Sequence, residues 1–132
     1  MPTMAAITVK KNDGTTDIVW SNVQASGGES SPAVWRSNTV GTAPAQRPEI
    51  RMQSKWNGDQ TARRLDISAT YPTLTTGSDG AVNVQARANL QASMVVPTGM
   101  LDADINEAAS QFMNLLSSTL FKDSLKAGYA PT

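Results

Sequence analysis

Apolar and polar residues alternate along three stretches of the chain. In 50–56, Arg51, Gln53 and Lys55 take one face, and Ile50, Met52 and Trp56 take the other, with Ser54 a small interruption. In 63–71, Leu65, Ile67, Ala69 and Tyr71 alternate with Arg64, Asp66, Ser68 and Thr70. Along 81–96, Ala86, Ala88, Leu90, Ala92 and Met94 alternate with Arg87, Asn89, Gln91 and Ser93. Strict alternation predicts strands of a sheet buried on one face only.

Turn chemistry separates further strands. Segments 7–11 and 16–20 flank Asn12-Asp13-Gly14, and Asp-Gly suits the positive φ of a hairpin turn. A glycine- and serine-rich connection, 24–32, precedes a short strand over 34–39, and 41–48 is a second connection with two prolines. Asn57-Gly58-Asp59 reads as a turn, Pro72 as the end of the strand begun at Arg63, and 75–80 as a flexible loop before the last long strand. A further short strand is expected between that end and the loop.

After Pro97 the period changes. Leu101, Ile105, Ala108, Phe112 and Leu116 fall at helical spacing, with Ala109, Met113 and Leu115 broadening the stripe. Asp102 or Asp104 is the expected cap, and the early acids suit the helix dipole. Ser117-Ser118 marks a break, Leu120, Phe121 and Leu125 a second short helix, and Gly128 its stop. Strands followed by helices define an α+β chain: an antiparallel β-sheet with an N-terminal hairpin, followed by two C-terminal helices. One domain over 1–132 is expected, with the hairpin and sheet in 1–96 and the helices in 101–127.

Two short helices are too few to cover every apolar position of such a sheet. The last strand is also a long edge with unpaired backbone groups. Both difficulties vanish if two chains pair edge to edge and lay their helices across each other's sheets, so an obligate, intertwined homodimer is expected.

Composition narrows the chemistry. The 132 residues include no Cys and no His. That removes disulfides, thiolate metal sites and His-dependent triads. No Ser-x-x-Lys dyad or Gly-x-Ser-x-Gly elbow is present, so no enzyme, no cofactor and no catalytic residue is expected. No apolar run suits a membrane span, and the start of the chain lacks the pattern of a secretory signal. Asp102, Asp104 and Glu107 read as helix-start acids rather than metal ligands, and Gly77-Ser78-Asp79-Gly80 as a turn rather than a phosphate cradle or calcium loop.

Eleven basic residues balance eleven acidic ones, but unevenly. From 47 to 64, Arg47, Arg51, Lys55, Arg63 and Arg64 outnumber Glu49 and Asp59, while the tail leans acidic. The row Arg51, Gln53, Lys55 and Arg64 admits two readings: the solvated face of a sheet, or a surface for phosphates and base edges. Trp20, Trp35 and Trp56 suit packing better than base stacking. Arg63 falls on the apolar phase and is left at a strand end.

In length, order of elements and absence of His, the chain resembles the coat proteins of small single-stranded RNA bacteriophages, the levivirus type. Local features that look similar are Trp35-Arg36-Ser37, the Arg63-Arg64 strand entry, and Arg87-Ala88-Asn89-Leu90-Gln91 leading to Val95-Val96-Pro97. The resemblance implies a dimer with a continuous sheet, assembled into a quasi-equivalent icosahedral shell in the bacterial cytoplasm, with single-stranded RNA on the inner sheet face. It also implies binding of an RNA hairpin that represses replicase translation. Carried onto this sequence, the RNA-binding set is Arg51, Gln53, Lys55, Arg64, Asp66, Ser68, Arg87, Asn89, Gln91 and Ser93. Asn89 stands where some members carry a stacking Tyr, and Asp66 where a neutral hydroxyl is common. The loop Thr75, Thr76, Gly77, Ser78, Asp79 and Gly80 would meet other dimers around the shell axes. Leu101, Ile105, Phe112, Met113, Leu116, Leu120 and Phe121 would form the dimer-interface helices. The alternative is a dimeric single-stranded nucleic-acid-binding or translation-regulating module that builds no shell.

Overall fold

The computed structural model describes residues 2–39 and 41–132, and these fall into two compact units, Met1–Val95 and Val96–Thr132. The first unit is built on one six-stranded sheet in simple sequence order: β1 (Ile7–Lys10), β2 (Asp17–Gln24), β3 (Ala33–Ser37), β4 (Glu49–Trp56), β5 (Ala62–Thr76) and β6 (Val82–Pro97). The β1–β2, β2–β3, β3–β4 and β4–β5 pairs are antiparallel. The strand order leaves β6 on a sheet edge.

Local chemistry explains the turns. At the first hairpin, Asp13 Oδ1 accepts from the backbone N–H of Thr15 (3.0 Å) and Thr16 (2.9 Å), and Gly14 takes φ 75°. The Thr16 hydroxyl donates to the other Asp13 oxygen. That hydroxyl bond first, then the two amides, lowers the Asp13 pKa to about 2. The turn expected at Asn57-Gly58-Asp59 lies between β4 and β5. Asn57 Oδ1 accepts from Thr61 N (2.8 Å) and Ala62 N (3.3 Å), and the left-handed residue is Gln60 (φ 54°) rather than Gly58.

Several features depart from the sequence reading, among them β3, which covers Ala33–Ser37 rather than 34–39. β2 runs on to Gln24, past Trp20, with a register shift between Asn22 and Gln24. β5 does not stop at Pro72 but continues to Thr76, absorbing the expected extra short strand. The register with β4 ends at Glu49↔Thr70, so the missing Pro72 N–H removes no bond of that ladder, and Pro72 is fully buried. A 3-10 turn, Pro44–Gln46, lies in the β3–β4 connection and was not anticipated.

Burial in this unit is centred on the third strand. Val34 and Trp35 are its buried apolar residues, and the Trp35 indole donates to Ala5 O (2.8 Å). Ser37 is fully buried; its backbone N–H donates to Pro48 O (3.0 Å) and its hydroxyl pairs with that of Thr39 (2.9 Å). Ile50, Met52, Leu65, Ile67 and Ala69 are only half-buried, and Leu90 and Tyr71 are exposed.

The second unit is a helix pair, α1 (Asp102–Leu116) and α2 (Thr119–Ala127). The break falls at Ser117-Ser118, where both hydroxyls donate back, to Asn114 O (2.9 Å) and Leu115 O (2.6 Å). Gly128 ends α2 in the left-handed conformation, φ 78°. Neither Asp102 nor Asp104 caps α1. Leu101 is the N-cap and no side chain bonds there, because both acids lie inside the first turn, where they meet only the helix dipole. Neither helix buries a single residue.

Candidate nucleic-acid interface

The register puts the candidate residues in rows. Arg51 stands opposite Ser68, Gln53 opposite Asp66, and Lys55 opposite Arg64, so these six side chains share one face of β4 and β5. The Thr70 hydroxyl donates to Asn89 Oδ1 (3.1 Å), joining β6 to the same row. Arg64, Asp66 and Ser68 of β5, with Gln91 and Ser93 of β6, line a cavity of about 300 Å³ whose walls also include Ile67 and Ala92. Arg87 is exposed on β6, outside this cavity.

Charges along the row are unequal. Glu49 accepts from Arg51 Nε (2.6 Å) and Arg36 Nη2 (2.8 Å). Burial pushes the Glu49 carboxyl up, but the hydrogen bonds from Arg51 and Arg36 outweigh it and hold the group below its usual value. Arg64 Nε lies 2.6 Å from Asp66 Oδ1, a contact of adjacent same-face positions on one strand. Lys55 is half-buried and makes no ion pair among the described residues. It sits directly across from Arg64, and like charges opposite one another in a sheet repel.

One candidate, Gln53, and one residue outside the set, Arg63, have other partners. Gln53 Nε2 donates to Ser30 O (2.5 Å), fastening the β2–β3 connection to β4. Arg63, on the opposite face, lies with its guanidinium 4.6 Å from the centre of the Trp56 ring, and also reaches Ser54 Oγ (3.3 Å) and Glu29 Oε2 (3.4 Å). A cation–π contact explains a cation in an apolar phase, and the Trp56↔Arg63 register was the signal for it. Glu49 was missed as the hub of two arginines; its place in the Arg51 alternation was the available clue.

The expected loop is shorter than its sequence suggests. Thr75 and Thr76 belong to β5, because Pro72 does not end the strand. Only Gly77, Ser78, Asp79 and Gly80 form the turn, closed by Gly77 N→Ala81 O (2.8 Å), Gly80 N→Gly77 O (3.0 Å) and Ala81 N→Asp79 Oδ1 (3.0 Å). On the helices, Leu101, Phe112, Met113, Leu116, Leu120 and Phe121 are exposed and Ile105 is half-buried. Among the described residues no three acidic groups converge to hold a metal, and no helix is long and apolar enough to cross a membrane.

A six-stranded antiparallel sheet in sequence order, followed by two C-terminal helices, is the fold of bacteriophage coat proteins. The virus-like particle of bacteriophage NT-214 is similar over 99% of this chain and 100% of its own, with TM-score 0.82 and 14% identity. The bacteriophage EMS014 coat protein gives TM-score 0.80 at 16% identity over 99% and 100% of the two chains. The bacteriophage GA capsid protein gives 0.73 at 15% identity, over 95% of each chain. No protein-family model and no curated protein sequence matches the chain. The resemblance read from the sequence thus holds at the level of the fold.

Proposed function

We propose that this chain is a capsid protein: it pairs with a second copy, assembles into a closed icosahedral shell, and packages single-stranded RNA against the polar face of its sheet. The observation that carries the reading is unfinished burial. The single chain exposes 9507 Å², and a self-sufficient folded protein of its 14.0 kDa would expose about 6,700 Å². The surplus of roughly 2,800 Å² per chain is about 5,600 Å² for a pair, at the upper end of obligate dimer interfaces. Exposed Phe112, Leu116, Leu120 and Phe121 on the helices and Leu90 and Val95 on the edge strand supply the apolar part of it. The edge strand β6 adds unpaired backbone groups that a second β6 satisfies. The whole-length likeness to virus-like particles supports the shell.

RNA is the partner whose chemistry suits the polar face. Lys55 and Arg64 neutralise phosphate and release counterions, and Arg51 and Arg87 extend the positive row. Asn89, Gln91, Ser68 and Ser93 offer amides and hydroxyls to bases and sugars, while Asp66 accepts only and so selects against an acceptor edge. Binding one RNA hairpin tightly enough to repress translation of the replicase is the finer part of the same reading. Asp79 and its turn meet neighbouring dimers. The work is assembly and binding, with no covalent step.

The test is nuclease protection. Full-length protein purified from a bacterial host should sediment as large round particles holding nuclease-resistant RNA. Protein that elutes as a small oligomer, with all its RNA digested and no particles in electron micrographs, overturns the capsid reading in favour of a non-assembling nucleic-acid-binding module.

A further inference from the structure

The β3–β4 connection and the β5–β6 hairpin are far apart in sequence, yet one side chain joins them. Gln46 Oε1 accepts from the backbone N–H of Thr42 (3.1 Å) and Ala43 (3.3 Å), while its Nε2 donates to Val82 O (3.0 Å) at the start of β6. Both ends of the amide are in use. The acceptor end folds the connection on itself, and the donor end ties it to the base of the hairpin whose tip is Gly77–Gly80. The fit is tight. Gly41 takes φ 72°, and a Cβ there would come within 2.6 Å of Gln46 Cβ.

The two segments share a second property. Ser37 through Gln46 carry no charged residue, and Ile67 through Ala86 carry one, Asp79. That carboxylate already accepts from Ala81 N (3.0 Å). Thr42, Ala43, Pro44 and Ala45 are exposed, as are Ala81 and Val82. The whole chain is 17% charged, so this neutrality is local. Where copies of one chain converge on a symmetry axis, each side chain meets its own equivalent, and any charge there meets a like charge. Small neutral residues are what such a contact admits.

We propose that the β3–β4 connection and the β5–β6 hairpin form one composite contact surface for further copies of this chain, and that Gln46 is the positioning residue that locks the two together. The inference rests on the capsid reading and goes beyond it by adding the 42–45 segment and the Gln46 strut to the hairpin tip. Without the strut the hairpin pivots about its base, the two halves of the surface lose register, and closed shells form poorly even though the dimer is intact.

The experiment compares full-length wild type with Gln46→Glu, which keeps the acceptor and loses the donor to Val82 O, and with Gln46→Ala. Three quantities are read: particle yield and diameter, dimer melting together with dimer affinity for a short RNA, and amide hydrogen exchange. Both variants should form dimers with RNA affinity within twofold of wild type. Exchange at Gly77, Gly80 and Ala81 should rise at least tenfold while that in β4 stays unchanged. Particle yield should fall at least tenfold, or the diameters should spread. Gly41→Ala, which displaces Gln46 without removing it, should give the same pattern. Wild-type exchange at the hairpin, or wild-type particles from Gln46→Glu, overturns the proposal and leaves the capsid reading standing. Absence of particles from the wild type itself overturns both.

Discussion

The sheet and the helix pair both carry apolar stripes but end in different conditions. In Met1–Val95, backbone ladders run across the strands, and Val34, Trp35, Ser37, Pro48 and Pro72 are buried. In Val96–Thr132 the helices complete their own backbone bonds, yet bury no residue, and their apolar stripes stay exposed. The contrast separates local order from completed folding. A helix satisfies its backbone from within, so it forms wherever period and breaks agree. Its stability in water comes from covering the apolar face, and the proposed dimer supplies that cover.

The contrast is broken most severely by a charge on the stripe. Phe112→Asp should abolish dimers, because the buried carboxylate would have no partner. Size-exclusion chromatography should find aggregated or unfolded protein, and a soluble dimer of the variant would contradict the role given to α1. Next comes the centre of the sheet. Trp35→Ala removes the largest buried side chain and its bond to Ala5 O, and should cost about 3–5 kcal/mol in urea unfolding. A cost below about 1 kcal/mol would mean that β3 is not the centre of packing.

Smaller effects sharpen the account of the polar face. Lys55→Ala should weaken RNA binding by a similar factor for all sequences and reduce the slope of log affinity against log salt by about 1. Filter binding across a salt series measures it; an unchanged slope would remove Lys55 from the phosphate contacts. The smallest effect belongs to the first hairpin. Asp13 is lowered from 3.8 to about 2, so its contribution is complete above the unfolded value and is lost as pH falls toward the folded one. Exchange of the Thr15 and Thr16 amides should accelerate between pH 4 and pH 2, taken as rough bounds from those values, and Asp13→Asn should remove that step.

Much of this was legible in the sequence because alternation is a strong signal. The rows Arg51-Gln53-Lys55 and Arg64-Asp66-Ser68 follow from period two, and the break at Ser117-Ser118 and stop at Gly128 from helix-end chemistry. The misses have a common physical origin: they depend on what a neighbouring segment places alongside. Pro72 reads as a terminator in isolation, but it lies beyond the last β4 partner. Arg63 looks misplaced until Trp56 is across from it. Glu49 as a hub and Gln46 as a strut depend on contacts to Arg36 and Val82, which no local pattern encodes. The stretch Gly77–Gly80 reads as loose because glycine permits flexibility, but the carboxylate of Asp79 and two backbone bonds close it into a defined turn.

Sedimentation velocity on the full chain across a thousand-fold dilution series, with circular dichroism on the same samples, tests the claim that one copy is not a finished fold. Helical and sheet signal should persist only where the chain is dimeric or larger, and should be lost together with the dimer on dilution. A species of one chain's mass that keeps its full signal and a cooperative melt at the lowest concentration would contradict it.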